Sequence, residues 1–145
     1  MQRVQTPPGG GGGAPPAYRR PPALRTGLGL VAGLFLGASG LLHVFVAWPS
    51  IGPLLRSSNV DPGLVSGLWL GWIFGGFAMV ACSAVVLHAM WLQWQGRLGS
   101  HGPVRIIAGL YAAYTLWAAI VTGGDPFVAA AFGVPAVLLA LASWS

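Results

Sequence analysis

Lysine is absent, only Asp61 and Asp125 are acidic, and Cys82 is the single cysteine of 145 residues. Charged residues make up 6% of the chain. A soluble domain carries about 25%, so this deficit excludes a water-facing surface over most of the chain. One cysteine excludes an intrachain disulfide and a cysteine-based metal cluster. Thiol–disulfide and quinone-reducing four-helix enzymes need paired cysteines, and a four-helix drug/proton antiporter needs an acid within its spans. Metal-dependent lipid transferases need acidic clusters. None of these sets is present.

What is present is apolar. Hydrophobic residues make up 55% of the chain and mean hydropathy is +0.73. Long apolar runs cover about 28–48, 64–92, 104–122 and 126–144, with both aspartates in the connections. Each run approaches or exceeds the ~20 residues that carry a helix across ~30 Å of hydrocarbon. The second is long enough to tilt or to project. The first is read as ending at Trp48-Pro49. Asp125 followed by Pro126 is a helix start signal for the fourth. The fold class expected is all-α: a polytopic membrane protein with four transmembrane helices in an antiparallel bundle, residues 26–145.

Residues 1–25 contain Pro7-Pro8, the run Gly9–Gly13, Pro15-Pro16 and Pro21-Pro22. Such a composition buries little apolar surface and reads as a disordered tail. Net charge is +5, all of its positive part from arginine. The arginines flank apolar runs and form no basic face, so no nucleic-acid partner is expected. Arg3, Arg19, Arg20, Arg25, Arg97 and Arg105 fall on one side of the membrane and Arg56 on the other. The excess of positive charge in cytoplasmic loops then places both termini and the 95–103 loop in the cytoplasm. The all-arginine bias with abundant Gly, Ala and Pro matches a GC-rich bacterial genome, hence an inner-membrane location. Trp48, Trp69 and Trp117 are expected at the outer interface, and Trp91, Trp94 and Trp144 at the inner one.

Span one carries Gly29, Gly33, Gly37 and Gly40; span two carries Gly67, Gly71, Gly75, Ala78 and Cys82. Each series marks one narrow face of a helix. Lipid supplies no hydrophobic drive between helices, so close backbone approach has to hold them, and small residues allow it. The two seams are expected to pair, and Gly33→Leu or Gly71→Leu to splay them. The rival reading gives one seam to a partner subunit or a second copy of the chain.

Ionisable groups within spans are costly and are functional suspects. His43 and His88 are the candidates. They lie in opposite leaflets, roughly 15–20 Å apart along the normal, too far to share a metal ion or haem. His43 matches the depth of Ser66, Trp69 and Trp72 on span two and of Tyr114, Thr115 and Trp117 on span three. A hydroxyl or indole N–H there can satisfy the imidazole. His43, Trp69, Trp72, Tyr114 and Thr115 form the candidate outer-leaflet ligand pocket; the plainer alternative is a hydrogen-bonded packing histidine. Tyr111, Tyr114, Thr115 and Thr122 form a modestly polar stripe that faces other helices. Gly37-Ala38-Ser39-Gly40 matches the GxSG string of rhomboid proteases, but His43 follows on the same helix, whereas theirs comes from another. No catalytic, cofactor or metal site is read.

Gly40-Leu41-Leu42-His43, Trp69-Leu70-Gly71-Trp72 with Phe74-Gly75-Gly76, Asp125-Pro126-Phe127 and Gly133-Val134-Pro135 resemble a group of small bacterial four-helix membrane proteins. The resemblance covers roughly residues 28–144 and implies a fold without an activity. Members of the group often have a histidine directly after a tryptophan in the second helix. Here Ile73 follows Trp72, so no second histidine is supplied beside His43. The first functional reading is a non-enzymatic accessory or assembly subunit of a membrane complex. The second is a small apolar ligand or lipid binding or transport protein using the pocket around His43. A membrane oxidoreductase with a bound cofactor is third.

Overall fold

The computed structural model describes residues 23–97 and 100–144. The elements are α1 (Ala23–Leu42), a π-helical turn (His43–Ala47), α2 (Trp48–Ser57), α3 (Pro62–Trp94), α4 (Gly102–Thr122) and α5 (Pro126–Ser143). The first three form one continuous rod, Ala23–Ser57. That rod, α3, α4 and α5 are each long and apolar enough to cross a membrane. The protein is an all-α polytopic bundle. The expected tail falls on residues 1–22, outside the described residues, except that 23–25 are already helical.

Helix starts and stops follow local chemistry. Asp61 caps α3 by accepting from the Leu64 N–H at 3.0 Å, with Pro62 in the first turn. Asp125 caps α5 by accepting from Phe127 N at 2.8 Å and Val128 N at 3.4 Å, with Pro126 following. These carboxylates satisfy amide donors that no helical carbonyl reaches. Gly123 closes α4 at φ 69°, a left-handed conformation that costs glycine little.

Span one does not end at Trp48-Pro49. Pro49 lies in the first turn of α2, and the chain stays helical to Ser57 through Pro53. Proline lacks an N–H and its ring crowds the carbonyl four residues back. For Pro49 that carbonyl belongs to Phe45, inside the π-helical turn. A wider turn makes room for the ring and lets the helix continue. Ser50 Oγ donates to the Val46 carbonyl at 2.9 Å, another local partner in the same stretch.

Around the bundle, α3 packs on α1, α1 on α5 and α5 on α4, while α3 and α4 barely touch. The contact between α1 and α3 is close enough for backbone to meet backbone. A Cβ added at Gly40 would stand 2.7 Å from the Gly76 carbonyl oxygen, and one at Gly76 would meet Val44 and the Gly40 carbonyl. Farther along, Gly37 lies on Ser83, Gly33 on Leu87 and Val86, and Gly29 on Met90. Ser83 Oγ donates to the Gly33 carbonyl at 2.7 Å across the interface.

The face of α3 that receives α1 is therefore Gly76, Ser83, Val86 and Met90, not the expected Gly67, Gly71 and Gly75. A Cβ at Gly67 or Gly71 meets nothing within 4 Å, and one at Gly75 meets only His43 Nε2, at 3.7 Å. The physical reason is size on the other side of the seam. The α1 glycines form a groove, and a groove closes on ridge-forming residues such as Val86 and Met90 rather than on a second groove.

The core sits toward one end of the bundle. Leu36 and Ala32 of α1, Val86 and Met90 of α3, Val104 and Ile107 of α4 and Leu139 of α5 form one buried cluster. Tyr111 is the last α4 member of it. Beyond Tyr111, α3 and α4 separate.

Candidate functional site

The separation leaves a cleft of about 620 Å³. One wall is α3, along the stripe from Leu64 through Gly67, Gly71 and Gly75 to Cys82. The other is α4, through Leu110, Tyr111 and Tyr114; His43 and Phe132 form the back. The stripe has helical spacing, and at Gly67, Gly71 and Gly75 it presents bare backbone between Leu64, Leu68, Trp72 and Met79. These side-chain-free positions widen the cleft, which His43 and Phe132 close behind α3 and α4. Asp, Glu, Lys and Arg do not occur among the residues that line it.

His43 is held by Trp72. The two rings stack at 4.2 Å with an interplanar angle of 2°. The Trp72 indole N–H donates to the His43 backbone carbonyl at 2.7 Å. An indole N–H in the span was expected to satisfy the imidazole; it serves the backbone instead, at the start of the wide turn. The imidazole edge remains directed to neighbours near Gly75. Trp48, tilted against Trp72 at 6.1 Å, packs behind them and is buried over Gly52. Trp69, Trp91, Trp94, Trp117 and Trp144 are exposed by contrast.

On the opposite wall, Tyr114 meets Phe132 edge to face at 4.6 Å, and Tyr111 lies 6.1 Å from the same ring. Tyr111 is only 6% exposed, Tyr114 43%. Among the described residues, none hydrogen-bonds the Tyr111 or Tyr114 hydroxyl or the His43 ring nitrogens.

Of the expected pocket residues, the structure brings together His43, Trp72 and Tyr114. Trp69 and Thr115 are not among the lining residues. Trp69 is two positions from Gly71, about 200° around the helix, and so points away from the stripe. Thr115 faces α5, with its methyl 3.4 Å from where a Gly133 Cβ would be. Its hydroxyl donates to the Tyr111 carbonyl at 2.7 Å, as Thr122 does to Ala118 at 2.8 Å. Tyr111, Phe132, Met79 and Cys82 belong to the cleft and were outside the expected pocket. The α3 members lie on the glycine stripe, whose small residues mark a face of close approach without saying what approaches it.

His88 lies far along α3 from the cleft, exposed, with its ring 6.2 Å from Trp91. No group of three or more His, Cys, Asp or Glu side chains able to hold a metal occurs among the described residues. A second groove, about 560 Å³, runs between α4 and α5 past Gly109, Ala112 and Ala140 to Arg105 and Trp144. There Arg105 Nε and Nη2 donate to the Ser143 carbonyl at 3.1 and 2.9 Å, capping the end of α5.

Compared with known proteins, the chain matches no family model, no curated protein and no solved structure. The resemblance to small four-helix membrane proteins therefore rests on its short motifs alone.

Proposed function

We propose that this chain is a multi-pass membrane protein that binds an apolar molecule drawn from the bilayer, in the cleft between α3 and α4. The observation that carries the reading is an apolar cleft of about 620 Å³ with a few convergent polar groups, the usual make-up of a small-molecule site. Its open side faces outward between two helices, so a lipid-dissolved molecule enters sideways without crossing water. In the orientation that six arginines against one favour, the cleft starts at the outer end of α3 and both termini are cytoplasmic.

The test is purification in mild detergent followed by mass spectrometry of bound small molecules, for the wild type and His43→Ala. A co-purifying apolar molecule that is lost from a normally folded His43→Ala protein supports the reading. Equal retention by both proteins counts against the cleft as its site.

An accessory or assembly subunit is the second reading, and one observation favours it. The bare backbone at Gly67 and Gly71 admits a transmembrane helix of a partner as readily as a lipid chain. A stoichiometric protein in the same purification, released by Gly71→Leu, selects this reading over the first.

A further inference from the structure

The cleft has a polar floor that the bundle leaves without a partner. Tyr111 is 6% exposed, and its hydroxyl has no hydrogen-bond partner among the described residues. Among the described residues the fully buried side-chain polar atom without a partner is Gln93 Oε1, so the Tyr111 hydroxyl keeps an open edge at the cleft it lines, where hydrocarbon offers it no hydrogen bond. Tyr111 also marks a boundary, since it belongs both to the buried core and to the lining of the cleft.

From this residue we infer that the cleft takes an uncharged, chain-bearing molecule with a carbonyl group, and that the Tyr111 hydroxyl donates to that carbonyl. The inference rests on the lateral-cleft reading above and adds the chemistry of the occupant. Charge is disfavoured by the lining, which has no Asp, Glu, Lys or Arg side chain to balance a headgroup. Length is set by the α3 wall. From Leu64 to Cys82 it runs about 27 Å at 1.5 Å per residue, which fits an extended chain lying along the helix. Width is set by Gly67 and Gly71, where a chain can rest on backbone. The Tyr111 and Tyr114 hydroxyls and the His43 imidazole are the polar groups at hand, Tyr111 being the one at the buried end of the cleft, and a carbonyl accepts from a hydroxyl without bringing charge into the membrane.

A benzoquinone with an alkyl tail and a diacylglycerol share this chemistry. The probes are therefore decylbenzoquinone, dioleoylglycerol and hexadecane, the last with a chain and no carbonyl. Each is titrated against the full chain in a maltoside detergent, which has no carbonyl of its own, and bound probe is counted by native mass spectrometry. The wild type is expected to bind hexadecane and at least one carbonyl probe; which one identifies the source. Tyr111→Phe, which keeps the ring, should weaken the carbonyl probe roughly tenfold and leave hexadecane unchanged. Gly71→Leu should block all probes.

The infrared carbonyl band of the probe bound to wild-type protein gives a second measurement, independent of whether Tyr111→Phe folds well. It should lie at lower wavenumber than in hexane. Equal carbonyl binding by wild type and Tyr111→Phe, an unshifted band, or binding of hexadecane alone overturns the hydrogen bond and leaves the cleft reading standing. Failure of Gly71→Leu to block any probe, or no binding of any probe by the wild type, overturns the cleft reading and this inference with it.

Discussion

The α1 glycines and the α3 glycines have the same spacing and opposite fates. On α1, Gly29, Gly33, Gly37 and Gly40 are covered by side chains or backbone of α3 at every step. On α3, Gly67 and Gly71 meet nothing within 4 Å and line an open cleft. The small-residue spacing declares a face that something can approach closely. It does not say whether that something is the chain's own helix, a partner or a lipid. What separates the two faces is what lies opposite. α1 meets Val86, Met90 and the Gly76 backbone, whereas the α3 stripe looks across at Tyr111 and Tyr114 on a helix that α3 barely touches.

Substitutions sharpen this contrast. The largest effect is expected at Gly40→Leu. Its Cβ would stand 2.7 Å from the backbone oxygen of Gly76, which cannot swing aside. Overpacking of this kind should remove about 3 kcal/mol, read as a large drop in melting temperature in detergent. An unchanged melting temperature would mean that the two helices are not in contact there.

Next comes Ser83→Ala, which removes the 2.7 Å interhelical bond to the Gly33 carbonyl. Bonds of this type in membranes contribute about 0.6–1.7 kcal/mol, and a loss of that order is expected in unfolding titrations. No loss would show that close packing alone holds α1 to α3. A still smaller change in stability, within about 0.5 kcal/mol, is expected for Gly71→Leu, although its side chain should abolish binding in the cleft. A melting temperature as low as that of Gly40→Leu would erase the distinction between the faces. Gly67→Ala should be neutral or stabilising by about 0.5 kcal/mol, since alanine is the better helix former and its methyl meets nothing. Clear destabilisation in the same assay would place a neighbour against that face.

Much of the fold was legible because its causes are local. The Asp61-Pro62 and Asp125-Pro126 pairs mark helix starts through a carboxylate and a ring that act within four residues. The lengths of the apolar runs follow from the thickness they have to cross. The sequence points to an end of span one at Pro49, because a proline normally breaks a helix. A π-helical turn at His43–Ala47 absorbs it, and nothing within a few residues announces such a turn.

The candidate site was legible in part. His43 and Trp72 were paired by depth, and depth is a sum of rises along each helix. Trp69 and Thr115 were placed at the same depth and proved to face elsewhere, since depth says nothing about rotation about the helix axis. Tyr111 shows the same limit from the other side. Its place on a polar stripe was visible, but its position as the floor of a cleft depends on where α3 and α4 part.

By itself, then, the order of residues determined four membrane-length helices, where two of them start, which faces carry small residues and where charge is missing. These are properties of single segments in their solvent. Which small face closes and which stays open, and that Tyr111 lies between core and cleft with its hydroxyl unpartnered, were decided only by packing. Those outcomes depend on pairs of helices distant in sequence, and no local pattern encodes the choice between neighbours.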